Sequence, residues 1–143
     1  EHLVARYEGT CPGCGTKRSF EFVLDPEIPP LPPAFGGDRP SQIIDPGQFL
    51  YVSQQLASAV PADPAELGPD EDLWEAKELL RTAIAALEEV LKFIPEGADR
   101  VPEEAFTSPE GWLIYQREPG RFRRRRLEAV LAAYRRILQA YGG

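Results

Sequence analysis

The chain is poor in the residues on which most active sites are built. Among 143 residues there are one histidine (His2), two cysteines (Cys11 and Cys14), three lysines and no methionine. One histidine excludes a His-Glu-x-x-His metal helix, and neither a Gly-x-Ser-x-Gly elbow nor a phosphate-binding glycine loop ending in lysine occurs. Phe35-Gly36-Gly37-Asp38 is a glycine turn with no helix start where a phosphate cradle needs one. Scattered carboxylates and serines remain, and they argue against an enzyme. Long apolar runs are missing as well: none reaches the roughly 18 residues of a membrane span, and no basic-then-apolar leader is present. The expectation is a soluble, cytoplasmic protein with no membrane partner. Because the first residue is Glu1 and methionine is absent, a few N-terminal residues are expected to precede it.

What is present suits one core. A length of 143 with 43% hydrophobic residues fits a single domain, 1–143. The organising stretch is 71–94, which contains neither proline nor glycine. Leu73, Ala76, Leu80, Ala83, Leu87, Val90 and Ile94 recur at steps of three and four, one stripe of a helix capped by Asp70 or Asp72. Leu127, Val130, Tyr134, Ile137 and Tyr141 repeat that spacing in a last helix over about 120–141, the expected partner of the first stripe. Asp45-Pro46 starts a helix to about residue 60 with Phe49, Val52, Leu56 and Ala59 on one face. Ser108-Pro109-Glu110 starts a short one to about Gln116, with Trp112 and Tyr115 on one side.

Ahead of the helices, residues 3–8 and 18–24 alternate with period two. Leu3, Ala5 and Tyr7 share one face and Phe20, Phe22 and Leu24 another, so 1–24 reads as a β-hairpin closed by a cysteine-bearing turn. Residues 25–45 form a Pro-rich connector in which Ile28, Leu31, Phe35, Ile43 and Ile44 suggest a path laid over the body. Its Pro-Pro-Leu-Pro-Pro core is also a polyproline-type ligand, the less common use of such a segment. The fold class is therefore mainly α (α+β): a small bundle of three longer helices and a short one over 46–141, with an N-terminal hairpin.

Net charge is −7 but unevenly spread. Residues 61–110 hold 14 acidic and 4 basic groups, whereas 111–143 hold 2 and 8. Asp63, Glu66, Asp70, Glu71, Asp72, Glu75 and Glu78 run through a loop and the first turns of the central helix, where negative charge suits the helix dipole. Such a run is either a solvated face or a surface that captures a basic partner, with Glu88, Glu89, Glu96, Glu103 and Glu104 extending it. Arg121, Arg123, Arg124, Arg125 and Arg126, with Phe122 among them, form the strongest basic feature and a candidate nucleic-acid contact. Against that stands the 100° step between helical neighbours, which scatters consecutive arginines, and the supply of carboxylates in 61–110 to neutralise them.

Cys11-Pro12-Gly13-Cys14-Gly15 resembles the knuckle of zinc-ribbon and rubredoxin-like proteins over about twenty residues. The resemblance implies two thiolates offered to one metal, zinc being the candidate cofactor. A second cysteine pair is missing, so three readings stay open. The turn is structural with free thiols; or a metal is completed by His2 with a carboxylate such as Glu8 or Asp25, or by a second subunit's cysteines; or the pair is a disulfide or redox couple. The redox reading ranks last because residues 20–24 alternate like a strand, and reactive pairs sit at helix N-termini.

In overall character the chain resembles the small acidic immunity proteins of bacterial polymorphic and contact-dependent toxin systems. The features behind this are the cysteine hairpin, the stretch from Phe35 to Leu50 and the acidic centre. Arg outnumbering Lys 13 to 3 and the 15 prolines fit a GC-rich bacterial source. The resemblance implies a non-enzymatic inhibitor whose partner is a cognate protein toxin. The alternative is a zinc-knuckle, nucleic-acid-binding accessory protein using the 121–126 arginines.

Overall fold

A computed structural model describes residues 4–23 and 34–143, in two compact units, 1–30 and 31–143. Secondary structure follows the mainly helical α+β expectation: among the described residues, a two-stranded antiparallel hairpin and four α-helices.

In the first unit β1 (Val4–Thr10) pairs with β2 (Lys17–Val23). The register sets Ala5 opposite Phe22 and Tyr7 opposite Phe20, so the two apolar sets of the sequence merge into one face. Tyr7 and Phe22 meet edge to face at 5.7 Å. The other face pairs Val4 with Val23 at its open end and is polar beyond, with the Arg6 guanidinium 3.3 Å from Glu8 and 3.7 Å from Glu21, and donating to Ser19. Leu3 and Leu24 lie outside the described residues.

The second unit is built on α2 (Leu73–Lys92). Its N-cap is Asp72, whose carboxylate accepts the Trp74 amide at 2.8 Å; Asp70 stays outside the helix. Six of the seven expected stripe residues are buried, and Leu73 alone is exposed. Ile84, Ala85, Ala86 and Glu89 are buried too, because α2 is covered from two sides. The more extensive partner is α1 (Pro46–Ser58), and α4 (Arg124–Ala140) packs on the other flank. Lys77 reaches the Gly142 carbonyl and Glu88 pairs with Arg135, so α2 and α4 are antiparallel.

Three expectations are corrected here. The buried face of α1 carries Phe49, Leu50 and Ser53, with Val60 beyond its end, while Val52 and Ala59 are exposed. Ser53, not an apolar residue, sits deepest and donates its hydroxyl to the Ala83 carbonyl at 2.7 Å; small side chains let the two helices approach. The last helix starts at Arg124, not near Gly120. Residues Pro119–Phe122 form a 3₁₀ turn that drives Phe122 into the core, and extended Arg123 bridges to Arg100 before the helix begins. In the connector, Phe35 packs edge-on against Phe49 at 5.5 Å, but Ile43 is 91% exposed and Ile44 is exposed as well. Ile28 and Leu31 fall outside the described residues.

The short helix α3 (Pro109–Arg117) stands where the sequence puts it, capped by Ser108. Trp112 and Tyr115 lie 5.4 Å apart, and Tyr115, Phe106 and Phe122 close an aromatic cluster. No helix among the described residues is long and apolar enough to cross a membrane.

Candidate functional site

The acidic residues divide into two sets. Asp70, Glu71, Asp72 and Glu75 rim one depression whose floor is Val60, Leu67, Ala76 and Leu79. Its volume is about 230 Å³, below the roughly 300–1,000 Å³ of metabolite pockets and of a size for one long side chain. Glu71 accepts the Gly68 amide at 2.6 Å and Asp72 caps α2, so these two are also structural. Asp70 and Glu75 make no hydrogen bond or ion pair among the described residues, and both are exposed. Asp63 caps the 3₁₀ turn Pro64–Glu66 next door.

Tyr141 registers this concentration of charge. Burial first, and then the negative charges of Glu71, Asp63 and Glu66, push its phenol above the ordinary tyrosine range, while its hydroxyl donates to the Pro61 carbonyl at 2.7 Å. Beside the carboxylates, Trp74 is 66% exposed and Leu73 is exposed, two large apolar side chains in the first turn of α2. By spacing Leu73 belongs to the expected core stripe, and Trp74 falls outside it. A tryptophan lying off the apolar stripe, two residues after Asp70-Glu71-Asp72, was the available signal.

Four of the remaining carboxylates are engaged elsewhere, while Glu96 and Glu104 are exposed and make no hydrogen bond or ion pair among the described residues. Glu78 pairs with Arg81 and Glu88 with Arg135, Glu89 is buried against Lys92, and Glu103 accepts the Tyr115 hydroxyl.

At the opposite end of the α2–α4 pair lies the arginine run, about 25 Å away by the length of a 17-residue helix. Among the described residues no ion pair links the run to 61–110; Glu118 pairs with two of its five arginines, 2.7 Å from Arg126 and 3.9 Å from Arg121. Arg124 is turned to the Ala98 carbonyl. Arg123, Arg125 and Arg126 line a shallow depression with Gly120 and Ala129. Phe122, the one aromatic interleaved with the arginines, is fully buried and offers no stacking surface.

In the hairpin, Cys11 and Cys14 are both free and bracket the turn at its tip. The Cys11 amide donates to Thr16 and the Gly15 amide to the Cys11 carbonyl, each at 2.9 Å, with Gly15 in the left-handed region at φ 70°. The Cys14 thiol reaches the Thr16 hydroxyl at 3.1 Å. Hydrogen bonds from Thr16, and then from the Cys11 thiol, hold its pKa below the usual thiol value, which favours the thiolate that metals bind. Among the described residues no group of three His, Cys, Asp or Glu side chains comes together. Of the sequence's other candidate ligands, His2 and Asp25 lie outside the described residues.

Comparison with protein-family models, with curated proteins and with solved structures finds no match for this chain.

Proposed function

We infer that this protein is a binding protein that neutralises a basic protein partner, in the manner of an immunity protein acting on a cognate bacterial toxin. The observation that carries the reading is the depression at the start of α2: a carboxylate rim of Asp70, Glu71, Asp72 and Glu75 over an apolar floor. Such a site suits a lysine or arginine side chain, whose aliphatic stem meets Val60, Leu67 and Leu79 while its charge meets the rim. Exposed Trp74 and Leu73 supply the kind of apolar anchor that adds lifetime to an electrostatic encounter. The inhibitor itself performs no chemistry in this reading; occlusion of the partner suffices. The nucleic-acid alternative is less well supported, since Phe122 is buried and Glu118 draws Arg121 and Arg126 away.

The test uses the chain as bait at low and at high salt, with the double variant Asp70→Lys, Glu75→Lys as control. These positions are chosen because neither side chain holds an internal hydrogen bond. The expected result is a stoichiometric basic protein whose toxicity the wild-type chain suppresses, with an on-rate reduced roughly tenfold or more in the variant. Nucleic acid in place of protein, eluted by salt, would overturn the inhibitor reading.

A further inference from the structure

We propose that Cys11 and Cys14 form half of a zinc site that a second copy of this chain completes, so that four thiolates from two hairpin tips hold one metal. The ligand count points there. A structural zinc ion takes four ligands in a tetrahedron, and soft thiolates select it. One tip offers two, and no imidazole or carboxylate joins them among the described residues. A two-fold axis through the metal doubles two ligands to four and needs no other donor.

The surface around the tip fits the same partner. Cys11 lines one depression with Tyr7, Arg18 and Phe20, residues of the aromatic side of the hairpin. Among the described residues of its unit that side is open: Tyr7 is 63% exposed, and Phe20 and Phe22 are more than half exposed. A second copy approaching through its own Cys11 side lays the two aromatic faces together. Charge also closes. Zinc with four thiolates carries −2, and Lys17 and Arg18, paired with Thr10 and Gly9 beside the turn, bring two cations per copy. Two seven-residue strands present too little area for a stable dimer alone, which makes the metal the decisive contact. On binding, zinc displaces the thiol protons to solvent, and no electron is transferred.

The proposal is independent of the inhibitor reading. Light scattering with metal analysis on the full chain, before and after zinc addition and again after a chelator, tests it. The expected result is a mass that doubles from 15.9 kDa with one zinc per two chains, and that reverts with chelator. Cobalt in place of zinc is expected to give the intense absorption of a tetrahedral four-sulfur site. Cys11→Ser and Cys14→Ser should each lose both metal and dimer. To separate loss of the metal from loss of the tip's fold, Phe20→Lys is added: it keeps the thiols and is expected to weaken the zinc-bound dimer at least tenfold, an unchanged dimer overturning the face-to-face arrangement. Glu8→Gln and His2→Ala should leave the stoichiometry unchanged. Zinc lost in either of these, one zinc per monomer, or no uptake of metal overturns the proposal.

Discussion

Asp45 and Ser108, 63 positions apart in sequence, join the starts of two helices through one buried carboxylate. One oxygen of Asp45 accepts the Gln48 amide at 2.9 Å and so caps α1, while the other accepts both the amide and the hydroxyl of Ser108, at 2.8 and 2.6 Å. The Ser108 hydroxyl in turn accepts the Gly111 amide and caps α3. The charge lies at two helix N-termini and every polar contact is satisfied, which is why a carboxylate is tolerated in the interior. Asp45→Ala removes three hydrogen bonds and strands the Ser108 amide, and is expected to cost about 3 kcal/mol in denaturant unfolding. Asp45→Asn keeps one acceptor but turns an NH₂ group toward Ser108, and should fall between alanine and wild type.

Glycine is required on both sides of this junction. A methyl group on Gly47 would come within 2.5 Å of the Gly111 backbone, and one on Gly111 would strike the Asp45 carboxylate. Neither neighbour can yield, being backbone in one case and a fully bonded buried group in the other. Gly47→Ala and Gly111→Ala are each expected to destabilise by roughly 2 kcal/mol or more, despite the better helix propensity of alanine. A thermal midpoint equal to wild type in either would contradict the close approach of α1 and α3.

Ser53 tests the rotated face of α1. Ser53→Ala forfeits one buried hydrogen bond, with an expected loss of about 1 kcal/mol. Ser53→Val, apolar and so an improvement by hydrophobic patterning alone, should cost more, about 1–3 kcal/mol, because it wedges apart helices that meet over Ala83. If valine proved the milder change, the packing described here would be wrong.

Tyr141 links the acidic end to alkaline stability. Its phenol is raised in the fold, so the protonated form is favoured there. The stabilisation is complete below the unfolded tyrosine value of about 10 and is lost as pH rises through the folded one. Tyr115 and Tyr134, also raised by burial, act in the same direction. Tyr141→Phe should lower stability by about 1 kcal/mol at neutral pH through the lost bond to Pro61. It should also flatten the decline above pH 10, as followed by urea midpoints across that range.

Much of the fold was legible because it rests on local chemistry. The caps Asp45, Asp72 and Ser108, the prolines that follow two of them and the three-four spacing of α2 act over a few residues, and their positions hold in the structure. The strands were legible for the same reason, through their period of two. The candidate site was half legible: the order of charges announced an acidic rim, but its apolar floor draws on residues from 60 to 79, which only folding brings together.

What the sequence by itself determined is where the capped helices and the two strands start, what type each is and which ends carry charge, since propensity, capping and helix dipoles are short-range. The tertiary structure alone decided which faces meet. It turned α1 so that Ser53 faces α2, set Asp45 under Ser108, sent Phe122 inward and broke the arginine run at Arg123. These outcomes depend on close packing and on satisfying buried polar groups across distant segments, and no local pattern encodes that.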